Sequence, residues 1–197
     1  MIRHRVGLLL CLAGLAGCAS RPTGPYETTS VASRDTREAD RLNEQASRIM
    51  NGWADRTPAG DELKKAEDLL RAALTADLFH GAAHNNLGIA HLMQGRLYES
   101  ASEFETARKL LPGHPDPRVN LALVMERAGR VEEALAAYGS ALEVYPDHLA
   151  SLQGLARLQI RAGKRDERTT HALQEIAMRG EEPWRLWARA ELEMHGR

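Results

Sequence analysis

Three kinds of side chain in this 197-residue chain could do chemistry by type and spacing. The first is a thiol: of the 2 Cys, Cys11 lies inside the apolar run Val6 to Leu15 and Cys18 follows it. The second is a histidine set, His80, His84 and His91, whose intervals could bring two imidazoles onto one helical face as metal ligands. The third is a series of amides and guanidinium groups: Asn86, Asn120, Arg127, Arg157 and Arg161. An Asn amide can pair with an extended backbone, and Arg can grip a carboxylate through two hydrogen bonds. The signatures of catalysis are missing: the sequence has no phosphate-cradling Gly-rich loop, no His-Glu-x-x-His helix and no recognisable Cys nucleophile. The acid pairs Glu132-Glu133 and Glu181-Glu182 stand near helix starts, where carboxylates suit the helix dipole better than they suit general-acid work. No carboxylate or Cys completes the histidine set, so neither a metal nor a cofactor is expected, and the chain reads as a non-enzyme.

Charge narrows the partners. Lys+Arg 26 against Asp+Glu 27 gives a net charge of -1, which leaves no whole-chain footprint for nucleic acid. With 43% apolar, 27% charged and 5% aromatic residues the chain is globular in composition, and its Ala, Leu, Glu and Arg lean towards helix. At the start, Arg3, His4 and Arg5 precede the apolar run, which at about ten residues is too short to span a bilayer. The run ends Leu15-Ala16-Gly17-Cys18, which resembles the bacterial lipobox. That resemblance implies removal of residues 1–17 and acylation of Cys18, and buried acyl chains make a stable anchor. Cys18 would then be the sole Cys, so no intramolecular disulfide could form. The alternative is an ordinary secretory leader followed by an incidental Cys. Ala19 in place of Asp favours the periplasmic face of the outer membrane, by resemblance to enterobacterial sorting. Residues 18–36, rich in Ser, Thr, Pro and Gly without apolar period, read as the lipidated Cys and a flexible tether.

The elements that position the remaining groups follow from a self-match at a shift of 34 residues. Leu87, Gly88, Gly95, Ser100, Phe104, Ala107 and Pro112 return as Leu121, Ala122, Gly129, Ala134, Tyr138, Ala141 and Pro146. Small residues let two helices approach, an aromatic fills the space between them, Gly closes the first helix and Pro follows the second. A 34-residue period with this pattern resembles the tetratricopeptide repeat (TPR). The resemblance implies an all-α fold: a right-handed TPR superhelix of antiparallel helix pairs, with about three repeats plus a C-terminal capping region. The units are residues 37–80 as a divergent first repeat, 81–114, 115–148, and 149–197 as a degenerate repeat with capping helices. Before Gly81 the first helix is out of frame, at about 37–54. After Gly163 the helix carrying Ala172, Leu173, Ile176 and Ala177 is also out of register. Pro183 opens a last helix with Trp184 and Trp187 on one side, read as a cap.

In TPR arrays the first helix of each pair lines a concave face, so the resemblance puts Asn86, Ile89, Met93, Asn120, Leu123, Arg127, Arg157 and Arg161 in a peptide-binding groove. Leu92 and Val119 fall at groove positions too. The third rung of the Asn series would be Gly154. The groove would run from apolar (Ile89, Leu92, Met93) to basic, suiting an extended or helical peptide with an acidic group. His84 and His91 fall where the family packs large side chains between helices. Lipobox, tether and few repeats together resemble the TPR lipoproteins of pilus assembly, both type IV pilotins and tight-adherence (Flp) lipoproteins. The expectation is a lipid-anchored adaptor that binds an envelope, pilus or secretion component. The alternatives are recruitment of peptidoglycan hydrolases or synthases, and an enzyme or metal-binding lipoprotein with its site in the C-terminal helices. Cys18→Ser should move the chain from the membrane pellet to the soluble fraction on cell fractionation; continued sedimentation with membranes would remove the anchor.

Overall fold

The computed structural model describes residues 34–53 and 56–195; Cys18, the leader 1–17 and the tether up to 33 lie outside the described residues. Among the described residues there are nine α-helices and no strand: α1 (Thr36–Met50), α2 (Gly60–Ala76), α3 (Gly81–Met93), α4 (Leu97–Leu110), α5 (Asp116–Arg127), α6 (Val131–Val144), α7 (Leu149–Arg161), α8 (Glu167–Arg179) and α9 (Trp184–His195). Each boundary has a local cause. Asp35 caps α1 by accepting from the Glu38 N–H, and His80 Nδ1 accepts from the Ala83 N–H at the start of α3. Asp166 and Thr169 cap α8 reciprocally. Gly95, Gly129 and Gly163 close α3, α5 and α7 at φ of 73°, 73° and 66°. The residue after each glycine donates five residues back, from Arg96 to His91 O, from Arg130 to Met125 O and from Lys164 to Gln159 O, which satisfies carbonyls the helix ends leave open. Pro112 and Pro146 follow the C-caps of α4 and α6.

The helices pair antiparallel in chain order and stack into the superhelix that the repeat implies. Odd helices also touch odd ones, α1 to α3 to α5 to α7. In each central pair a small residue faces the aromatic. Phe104 and Tyr138 are 0% and 1% exposed. A Cβ at Gly88 would lie 2.6 Å from the Phe104 ring, and Ser100 Oγ donates to Gly88 O across the same close approach. Burying one such ring contributes about 1.5–3 kcal/mol.

The flanks depart from the period in ways the residues explain. α1 ends ten residues before α2 begins, where the central pairs need four. The longer loop carries Trp53, which is 3% exposed and packs with Ala66, Ala90, Ile89 and Met93. Arg34 and Asp35, read as the end of the tether, are held: Arg34 forks Asp77 at 2.7 and 2.9 Å and stacks over the Phe79 ring, and the Asp35 N–H donates to Ala76 O. Glu67 on α2 reaches the turn before α4. Burial pushes its carboxyl up, but donors from Gln94, Arg96 and Arg71 outweigh that and lower it to about 2. In the last pair α8 is shifted by one residue. Thr169, Leu173 and Ile176, all 0% exposed, take the places that Ala134, Tyr138 and Ala141 hold in the pair before. α9 covers the end, setting Ala188, Trp184 and Trp187 on Leu152, Ala156, Leu173 and Ile176.

Two helix-interior glycines make opposite cases. At Gly139 nothing lies within 4 Å of a new Cβ, whereas at Gly154 it would sit 2.2 Å from Tyr138 Cζ. Gly139→Ala should therefore stabilise by about 0.5–1 kcal/mol through helix propensity. Gly154→Ala should destabilise by about 1–3 kcal/mol through overpacking against a fully buried ring. Urea unfolding of the two variants measures both; shifts in the same direction would contradict this packing.

Candidate functional site

Helices α3, α5 and α7 contact one another in turn, and they carry Asn86, Ile89, Met93, Asn120, Leu123, Arg127, Arg157 and Arg161. The amides are engaged with their neighbours. Asn86 Nδ2 donates to Asn43 Oδ1 at 2.8 Å and to Ser47 Oγ at 3.0 Å on α1. Asn120 Nδ2 donates to Asn85 Oδ1 at 2.9 Å on α3. Each Asn thus ties its helix to the preceding odd helix and is itself half-buried. Asn43 and Ser47 were not visible as partners in the sequence, because α1 is out of frame.

The apolar end is shallower than the repeat positions imply. Leu92 and Val119 are 5% and 8% exposed and belong to the core, so they line no groove. Ile89 and Met93 are half-buried against Trp53, and Leu123 packs on Leu92, Phe104 and Val124. The chain's own indole occupies part of the apolar floor.

The other end is built around Glu126. At residue 154 the third rung is glycine, and the Tyr138 ring passes through the space a side chain would fill. Its hydroxyl donates to Glu126 Oε1 at 2.6 Å, and Arg157 Nη2 donates to the same oxygen at 2.7 Å. Burial and the Glu126 carboxylate both push the Tyr138 phenol above its ordinary value, so it stays a donor. Arg127 Nη1 donates to Leu92 O at 3.1 Å. Arg161 is exposed, one turn beyond Arg157. The basic end is therefore part neutralised, with Glu126 accepting from Arg157.

The histidines are structural. His84 Nδ1 lies 2.6 Å from Glu103 Oε2 and Nε2 lies 2.9 Å from Leu78 O. Carboxylate and carbonyl oxygens only accept, so both ring nitrogens donate and the ring is an imidazolium. Burial opposes this charge, but the Glu103 and Leu78 hydrogen bonds prevail and raise the pKa. His91 is 3% exposed, and burial with the nearby Arg96 lowers its pKa. His80 is spent on the α3 cap and Asp40. No three His, Cys, Asp or Glu side chains gather as a metal set among the described residues, and no helix among them is long and apolar enough to cross a membrane.

A family model described as "Protein kinase G tetratricopeptide repeat" matches residues 40–191. No curated protein matches the chain. Solved structures are similar in fold. The first TPR of Spaghetti (RPAP3) bound to HSP90 peptide SRMEEVD has a TM-score of 0.58 at 16% identity, over 67% of this chain and 98% of that one. MamA has a TM-score of 0.59 at 20% identity, over 70% of this chain and 77% of that one. A mutant Thermobaculum terrenum O-GlcNAc transferase has a TM-score of 0.62 at 24% identity, over 76% of this chain and 28% of that one.

The His84 geometry sets a pH dependence. Its folded pKa is raised, so its contribution is complete below the unfolded value of about 6.5 and fades as pH climbs through the folded one. His84→Gln should cost about 1.5–3 kcal/mol at pH 6 and distinctly less at pH 9. Chemical denaturation of both proteins at the two pH values checks this; a gap that does not change with pH would mean a neutral ring.

Proposed function

The chain belongs to the protein kinase G tetratricopeptide repeat family, and on that premise we propose that it is a non-catalytic scaffold holding another protein along the face of α3, α5 and α7. The observation that carries this reading is the alignment of Asn86, Asn120, Arg127, Arg157 and Arg161 on consecutive odd helices. Asn86 and Asn120 recur at the spacing of a repeat, and their side-chain oxygens make no hydrogen bond among the described residues. An extended segment could pair its amides with the Asn oxygens and its carboxylates with the guanidinium groups. The RPAP3 domain, which holds an HSP90 peptide in the same fold, supports a peptide as the occupant.

The setting of this scaffold is the bacterial envelope. Acylation at Cys18 would fasten the array to a membrane, with the outer membrane favoured by Ala19, and residues 19–33 would let the stack stand away from the lipid. The partner on this reading is an envelope component, with pilus or secretion-system assembly as the leading case. The support is the order of leader, Leu15-Ala16-Gly17-Cys18, polar segment and repeats.

The test places a photo-crosslinking amino acid in the cells the protein comes from. Substitution at Asn120 or Leu123 should yield a discrete crosslinked adduct, and substitution at the exposed Ser102 or Glu133 on even helices should not. Adducts from the even helices alone, or in equal amount from both faces, would overturn the assignment.

A further inference from the structure

The last helix leaves an aromatic pocket beside Arg157. Pro183 just before α9, Trp184 and Trp187 of α9 and Arg157 of α7 line an open depression of about 280 Å³. The two indoles meet edge to face at 5.4 Å and 87°. That volume is at the lower limit of ligand sites and fits one bulky side chain better than a cofactor. The Trp rings are only half-buried, although Ala188, Leu173 and Ile176 behind them are 0% exposed. Core closure is thus complete without the outer part of the indoles, and an apolar surface of amphipathic rings is left over.

Arg157 brings a guanidinium group to the rim of the pocket, and further arginines stand on α5 and α7. Arg157 spends Nη2 on Glu126 and is also hydrogen-bonded to the Tyr138 hydroxyl, and its side chain remains 31% exposed. Arg161 is exposed, lies on the same helical face and makes no ion pair among the described residues. Arg127 gives one hydrogen bond to a backbone carbonyl, so it too keeps its full charge. Of these three guanidinium groups, that of Arg157 is bonded to Glu126. Of the acids near this end, Glu182, just before α9, is taken by Arg185 at 2.8 Å, and Glu191 on α9 pairs with Arg165.

We propose that this end of the groove recognises a peptide segment in which a bulky apolar side chain is flanked by carboxylates. The apolar side chain enters between Trp184, Trp187 and Pro183. A flanking carboxylate takes the open edge of Arg157, which Glu126 and Tyr138 hold in place, and a second pairs with Arg161. The proposal rests on the reading of α3, α5 and α7 as the binding face and names the chemistry of its occupant. A cap that merely covers the core would need neither the half-exposed indole faces nor the exposed Arg161 on the helical face that carries Arg157.

The probe is a fluorescent heptapeptide with a central Phe and two Glu on each side. Its controls carry Ala in the centre, or Gln in place of all four Glu. Fluorescence anisotropy with the full chain should show the first peptide binding about tenfold tighter than either control, with the advantage reduced by added salt. Arg161→Gln, an exposed change that should leave thermal unfolding untouched, should weaken it about fivefold. Trp187→Leu keeps bulk against the core and should abolish the preference for Phe over Ala. Equal binding of the three peptides, no binding of the Glu-Phe-Glu probe up to millimolar concentration, or indifference to Arg161→Gln would each overturn the proposal. Crosslinks from Asn120 that persist unchanged in Trp187→Leu and Arg161→Gln would keep the groove and remove this pocket; loss of crosslinking from the odd helices in the unaltered pocket would remove the groove itself.

Discussion

The structure turns on a steric exchange between aromatic rings and absent side chains. A helix pair can close only where one helix lacks a Cβ or carries a small one, and the ring opposite takes the space released. Gly88 does this for Phe104 within one pair, and Gly154 does it for Tyr138 between one pair and the next. The second case has the longer consequence. Because the ring of Tyr138 passes the α7 backbone, its hydroxyl reaches Glu126 on α5, and Glu126 in turn fixes Arg157. The guanidinium group beside the Trp184 and Trp187 pocket is therefore aimed by a contact that begins in the core.

Polar side chains set the alignment of the stack, since apolar contacts between helices have little directional preference. Asn86 to Asn43 and Ser47, and Asn120 to Asn85, join successive odd helices at one level. His84 does similar work inside a pair, bridging Glu103 on α4 and the Leu78 carbonyl with both nitrogens donating. Removing either acceptor would leave a buried cation poorly satisfied, so the bridge is costly to break. Groups that might have bound a metal are consumed in holding helices together.

The two ends of the binding face differ as a result. Near α1 the long loop after Met50 lays Trp53 on Ile89 and Met93, covering apolar surface with the chain's own side chain. Near α9 the half-buried indoles stand beside the Arg157 guanidinium. A scaffold with one end filled and the other open would engage its partner chiefly through the C-terminal half of the face.

Much of this was legible beforehand. The 34-residue period located the central pairs, their closing glycines and the Pro residues that follow them, because these depend on local backbone geometry and on side-chain size at fixed intervals. It also placed His84 and His91 inside, and it marked α8 as out of register and α9 as a cap. It put Leu92 and Val119 in the groove, and the fold buries them, since a position's exposure depends on how closely neighbouring pairs approach. The partners of Asn86 and Arg157 lie 31 to 43 residues away, and Trp53 itself stands in a loop with no frame. Spacing along the chain determined which residues share a helix face; only the stacking of one pair on the next decided which of their polar groups were already spent.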